Sequence, residues 1–348
     1  MQTTHSIIRF GPLSEFRELL SPERVVFITS SALREKASEK LPMERESGRW
    51  IEVPDGESCK TFLVLESVYH ALLNFDAGPD TVLVAIGGGS VSDLAGFAAH
   101  TWKRGIGLIL VPTTLLAMID ASIGGKNAID IGYAKNAVGS FHLPTSIICD
   151  VGWLPSLPEK DLASGMAEAI KHAVLDSEEH VQFFEQLAET RIPLAELGGK
   201  TFEDLIRRSQ AVKLRYVNAD LYDSHERHAL NYGHTFGHAI ELLTGLPHGF
   251  AVAAGMGAAN TLAVSRGTLD PVTQGRIGSL LRHFGLPAGI QEAFGMAGRT
   301  MDRRALLELI RADKKRRGNY MDFVLPHGIG DVRIEAIPVD ELAEVLQT

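Results

Sequence analysis

Only two cysteines occur in the 348 residues, Cys59 and Cys149, and they are too far apart to share a metal-binding or redox spacing. A disulfide framework is excluded, and both are read as reduced thiols in or near a core, as expected of a cytoplasmic protein. Basic residues are in the minority: 34 Lys and Arg stand against 43 Asp and Glu, a net charge of -9. That balance argues against nucleic acid as a partner, because a phosphate backbone demands clustered cations. A small anionic ligand stays open, since local lysines can outweigh a global sign. Long apolar runs are missing as well. The longest, 106–119, is broken by Pro112 and two threonines and is too short to span a bilayer, so no membrane association is expected. The opening MQTTHSIIRF has no basic stretch followed by an apolar one, so no secretory leader is expected. Low-complexity tracts and internal repeats are lacking too.

What is present is a globular composition, 45% hydrophobic and 22% charged, long enough for one large domain or two ordinary ones. In the first half, short β-branched runs alternate with helical patterns. Segments 25–28 (VVFI), 82–86 (VLVAI), 108–111 (LILV) and 146–149 (SIIC) predict buried strands, and 63–73 and 91–101 predict helices between them. This alternation predicts an α/β nucleotide-binding domain with a mostly parallel sheet over 1–152. Beyond Asp150 helical spacing dominates, at 162–175, 202–217, 235–243, 251–265, 272–284 and 304–312, with a strand pair at 320–325 and 331–334. A mainly α-helical second domain is therefore expected over 153–348.

Three groups of residues carry chemistry. The strand at 82–86 runs into Gly87-Gly88-Gly89-Ser90-Val91-Ser92-Asp93 and then a helical pattern. Glycines let the backbone approach a pyrophosphate, and a helix N-terminus offers free N–H groups. The fit to a dinucleotide fingerprint is partial, because Ser92 takes the third glycine and no ribose-binding acid follows near residue 110. A plain strand-to-helix turn with Asp93 as helix cap is the alternative. Second, His234 and His238 lie four residues apart, on one face of a helix, and His248 follows beside Gly249. Glu168 and Lys171 share a face of the 162–175 helix. Two imidazoles and a carboxylate suffice for a catalytic zinc, although spacing does not decide which two of the three histidines bind. Third, Lys126 follows Gly124-Gly125, with Lys135-Asn136, Arg104 and Lys314-Lys315 as further cations for an anionic ligand.

Read in order, these segments resemble the 3-dehydroquinate synthase family. The strings are Pro54-Asp55-Gly56-Glu57 with Lys60, GGGSVSDLAG from Gly87, PTTLL from Pro112, DASIGGK from Asp120, KNAVG from Lys135, GMAEAIK from Gly165, LNYGHTFGHAIE from Leu230, His248-Gly249, Asp313-Lys314-Lys315 and FVLP from Phe323. The resemblance covers about residues 50–330. It implies an NAD-binding α/β domain, a helical metal domain and a homodimer acting on a small phosphorylated keto-sugar acid. It makes Glu168, His234 and His248 the ligands of zinc or cobalt, and His238 a substrate or proton-relay residue. Asp55, Glu57, Lys60, Gly88, Gly89, Ser90, Asp93, Thr113, Thr114, Trp153, Ser156 and Asp161 would meet NAD. Lys126, Lys135 and Asn136 would reach substrate or nicotinamide. Asp120, Lys171, Lys213, Arg227 and Asn231 match substrate positions, and Arg104 and Lys314 match phosphate positions.

The implied reaction is a transient oxidation by NAD, loss of phosphate, return of the hydride, ring opening and an aldol closure. Several positions depart from the family pattern: Thr29-Ser30, Ser92, Asn127-Ala128-Ile129-Asp130, the stretch 220–226, and Phe250 where a glutamate is common. The alternatives are a sister sugar phosphate cyclase with another substrate and a metal-dependent polyol dehydrogenase of the glycerol dehydrogenase type.

Overall fold

A computed structural model of the chain describes residues 6–20, 24–41, 48–132, 134–311 and 316–345. The chain divides into two compact units, residues 1–157 with 198–204, and residues 158–197 with 205–348.

The first unit is built on six strands: β1 (Ile7–Phe10), β2 (Val25–Ser30), β3 (Arg49–Val53), β4 (Val82–Gly87), β5 (Gly107–Pro112) and β8 (Ser146–Cys149). They pair in the order β1-β8-β5-β4-β2-β3, parallel throughout. A parallel sheet is covered on both faces, which is why β2, β4 and β5 read as unbroken apolar runs rather than alternating ones; Val26, Phe27, Ile28, Leu83 and Val84 are all buried. Helices α1 (Arg34–Lys40), α2 (Phe62–Asn74) and α3 (Gly89–Thr101) connect the strands. Strand order reverses between β2 and β4, so the chain leaves β4 at a switch point, where open α/β sheets bind ligands beyond the strands' carboxyl ends. The sequence reading did not anticipate β1, β3 or the antiparallel hairpin β6 (Lys126–Ile131) and β7 (Ala134–Phe141).

The second unit is helical, as expected: α4 (Glu159–Asp176), α5 (Glu178–Glu189), α6 (Gly199–Ala219, its first turn grouped with the first unit), α7 (His234–Thr244), α8 (His248–Ser265), α9 (Pro271–His283), α10 (Ile290–Met296), α11 (Arg303–Arg311) and α12 (Val339–Glu344). An antiparallel sheet of β9 (Arg316–Arg317), β10 (Tyr320–Gly328) and β11 (Asp331–Pro338) completes it. Helix α4 is buried on every side from Leu162 to Leu175. A helix buried all round is normally apolar, yet this one carries Glu168, Lys171 and His172 inside. Helix α8 is rich in Gly and Ala because its backbone is crowded; a β-carbon on Gly255 would meet the Gly233 carbonyl oxygen at 1.9 Å. No helix among the described residues is long and apolar enough to cross a membrane.

Candidate functional site

In the first unit the glycine-rich turn joins β4 to α3. Gly88 occupies the N-cap of α3 and no side chain caps it, so the first-turn N–H groups stay available to an anion. Asp93 does not cap this helix. Its carboxylate takes a hydrogen bond from the buried Lys60 ammonium at 2.8 Å. Lys60 also donates to Asn136 and lies 3.7 Å from Glu57. Burial works against the Lys60 charge, but Asp93, Glu57 and Asp130 together outweigh it and raise its pKa. Ser90 donates to Glu57 at 2.7 Å, and the Asn136 N–H donates to Asp130 at 2.6 Å. The turn after Asp55, the start of α3 and the β6–β7 hairpin are thus tied through one ammonium.

The other predicted residues of this unit do not all gather there, and Arg104 lies beyond the far end of α3, just before β5 begins. Thr113 donates its N–H to the Gly87 carbonyl at 3.0 Å, and Thr114 lines Gly88. Asp120 sits in a π-helical turn, Ala117–Ala121, a local irregularity common at functional positions. Lys126 and Lys135 are exposed on the hairpin. Arg104 follows Lys103 with both residues in the left-handed region (φ 67 and 50), a strained, exposed turn. Trp153 and Ser156 form a separate cluster: Lys36 and Lys40 lie over the Trp153 ring, and Lys36 also bonds Ser156. Asp161 belongs to the second unit, in the first turn of α4. Lys314 lies outside the described residues.

In the second unit α4, α7 and α8 converge. One ligand atom each from Glu168, His234 and His248 lies within 4.8 Å of the others. His234 Nε2 is 3.7 Å and His248 Nε2 is 3.6 Å from Glu168 Oε1. Ligands held ~2.1 Å from a tetrahedral ion stand about 3.4 Å apart, so the donor set fits a divalent transition metal with positions left open. The other ring nitrogens are committed elsewhere. His234 Nδ1 faces the Tyr232 carbonyl at 3.2 Å and His248 Nδ1 faces Glu241 Oε2 at 3.0 Å, which turns both Nε2 atoms toward Glu168. Burial, reinforced by the Lys171 charge, drives the His234 pKa well down and so disfavours its charged form. Burial pulls His248 the same way, but Glu168 and Glu241 overcome it and push it up to about 9. A cation would displace that proton. Lys171, one turn after Glu168 on the same buried face, ion-pairs with it.

The structure separates the three histidines that spacing left equivalent. His238 is exposed, its ring 5.4 Å from His234 and 6.3 Å from His248, and it is absent from the donor group. Both histidines of the group begin helices: His234 follows Gly233 in the left-handed region, and His248 follows Pro247. Lys213 and Arg227 are buried and Asn231 is half-buried. Two residues without an expected role emerge. Glu241 holds His248. Asp220, at the end of α6, accepts from the Ser224 N–H and hydroxyl and from the His225 and Arg227 N–H groups, at 2.6 to 3.3 Å. An Asp at a helix end followed by Asp, Ser and His was the only sequence signal for that turn.

Two family models match contiguous parts of the chain: 3-dehydroquinate synthase N-terminal over residues 50–164 and 3-dehydroquinate synthase C-terminal over 165–316. Among solved structures, the chain is similar to a 2-epi-5-epi-valiolone synthase from Streptomyces hygroscopicus subsp. jinggangensis 5008 with NAD+ and Zn2+ bound, at 24% identity and a TM-score of 0.86, covering 100% of this chain and 97% of that one. It is similar to a 2-deoxy-scyllo-inosose synthase complexed with carbaglucose-6-phosphate, NAD+ and Co2+, at 24% identity and a TM-score of 0.85, covering 97% and 95%. A probable glycerol dehydrogenase from Sinorhizobium meliloti 1021 shares the fold at 16% identity and a TM-score of 0.68, covering 99% and 95%.

Proposed function

Because the chain belongs to the 3-dehydroquinate synthase family, we propose that it is a sugar phosphate cyclase that converts 3-deoxy-D-arabino-heptulosonate 7-phosphate to 3-dehydroquinate and phosphate, using NAD and a zinc or cobalt ion. In this reading it works as a cytoplasmic homodimer in the shikimate pathway, which leads to aromatic amino acids. The observation that carries the reading is the donor set of Glu168, His234 and His248, with both Nε2 atoms turned to one carboxylate oxygen.

When bound, the ion supplies Lewis acidity toward an alcohol oxygen, and NAD supplies a hydride acceptor that is regenerated within the cycle. The chain's own residues do the rest by position and charge. The bare N–H groups at the start of α3 receive the cofactor pyrophosphate, with Lys60, Asp93, Glu57 and Ser90 shaping the approach. Lys171, buried beside Glu168, holds a positive charge against an anionic substrate. His238 lies open to solvent beside the two ligand histidines, suited to carry a proton to or from bulk water. By the family resemblance, Lys213, Arg227 and Asn231 of the second unit would contact substrate. Asp120 of the first unit would do the same, and Lys126, Lys135 and Asn136 would contact substrate or nicotinamide. Arg104 would meet the phosphate across a dimer interface, and Lys314 would help bind it.

A sister cyclase acting on another sugar phosphate is the second reading. It is favoured by the departures at 220–226 and Phe250 and by the likeness to the two cyclase structures. Purified protein with NAD, zinc or cobalt, and the heptulosonate phosphate tests both. The expected result is phosphate release with no accumulation of NADH, and loss of that release in Glu168→Ala or His248→Ala. Turnover of other sugar phosphates alone would shift the assignment to the sister enzyme. NADH accumulating with a polyol would make the chain a dehydrogenase.

A further inference from the structure

The two histidines of the donor group are held differently. His234 Nδ1 donates to a main-chain carbonyl, that of Tyr232, at 3.2 Å. His248 Nδ1 donates to a side-chain carboxylate, Glu241 Oε2, at 3.0 Å. Glu241 stands seven residues after His234 on α7, so α7 contributes one ligand directly and grips the other through Glu241. His248 needs that grip more. Both rings sit at the first residue of their helix, but the His248 side chain is 34% exposed against 13% for His234, so less packing restrains it. Glu241 is the acidic partner of the ring's Nδ1, as Glu168 is of its Nε2.

We propose that Glu241 sets the cation affinity of this chain through His248, fixing its Nδ1–H tautomer, aiming Nε2 at Glu168 Oε1, and strengthening the imidazole as a donor. The inference rests on the cation site proposed above. A carboxylate behind a ligand histidine does two separable things: it accepts the N–H and so fixes the ring, and its charge makes the other nitrogen a better donor. Glutamine retains an acceptor oxygen but not the charge; alanine retains neither. Glu241 is therefore a positioning residue, with no contact to substrate required of it.

The test is the affinity of the full-length chain for Co2+ and Zn2+, read by competition with a chromophoric chelator and by the visible absorption of the Co2+ form. Wild type, Glu241→Gln, Glu241→Ala and the ligand variant Glu168→Gln are compared. The expected order is wild type, then Gln, then Ala, with the alanine variant about 10- to 100-fold weaker. Metal-free Glu241→Gln is expected to keep a cooperative melt and the wild-type circular dichroism spectrum, which separates loss of ion from loss of fold. Wild-type affinity in both Glu241 variants overturns this inference and leaves the donor set standing. Failure of the wild type to bind either ion, or wild-type affinity in Glu168→Gln, overturns the donor set and this inference together.

Discussion

Gly249 lies so close to Ser164 that a β-carbon at position 249 would meet the Ser164 carbonyl oxygen at 2.1 Å. The Gly249 N–H also donates to the Ser164 hydroxyl at 3.0 Å. Ser164 is four residues before Glu168 on α4, and Gly249 follows His248, so this contact sets the spacing of carboxylate and imidazole. Gly249→Ala forces α4 and α8 apart. The expected cost is about 1–3 kcal/mol of stability, as for overpacked cores, together with lowered cation content by elemental analysis. Ser164→Ala removes only the hydrogen bond, about 1 kcal/mol, and should keep the ion.

Cation binding should also appear as stability. A ligand that binds only the folded chain adds about 2.7 kcal/mol at one hundred times its Kd. Thermal melts with added Zn2+ are expected to rise for wild type and to fall back with a chelator. In Glu168→Gln, Zn2+ should leave the melt unchanged.

Asp220 gives a dependence on acid. Burial opposes its charge, but the Ser224, His225 and Arg227 N–H groups overcome burial and hold the carboxyl well below the usual carboxylate range. Its folded pKa is thus below the unfolded one, and the unfolded chain takes up the proton first. The stabilisation is fully present above about pH 4 and drains away as pH falls toward the folded value. Denaturant titrations should show Asp220→Asn clearly less stable than wild type at pH 7, with the gap beginning to narrow only below about pH 4.

Cys59 should resist alkylation. Burial pushes its thiol up to about 12, and Glu57 adds to the effect; Cys149 is fully buried as well. The thiolate is the reactive form, so native protein at pH 8 is expected to take up almost no iodoacetamide by mass spectrometry, and denatured protein to take up two adducts.

How far the sequence led depends on which force shapes each part. Apolar runs such as Val25 to Ile28 announce buried parallel strands because every side chain in them must avoid water. The β6–β7 hairpin gave no such signal: most side chains of β7 face solvent, so its alternation is faint. Helix α5 was readable and was passed over, since Ser177 caps it and Val181 and Phe184 mark its buried face. The residue types of the donor group were legible, but the choice among histidines was not. His234 and His238 are only about 40° apart around a helix, and packing of α7 against α8 leaves His238 in solvent and His234 half-buried. Glu241 and Asp220 act through contacts made by folding, with partners on another helix or across a turn, and no spacing rule announces them.

Residues 198–204 group with the first unit although 158–197 do not. A ribosome delivers the chain from its N-terminus, so α4 and α5 emerge before the first unit receives its last seven residues. The first unit therefore completes its set of contacts only after those two helices have been made, and a gene fragment stopped at codon 157 would encode it without its last seven residues.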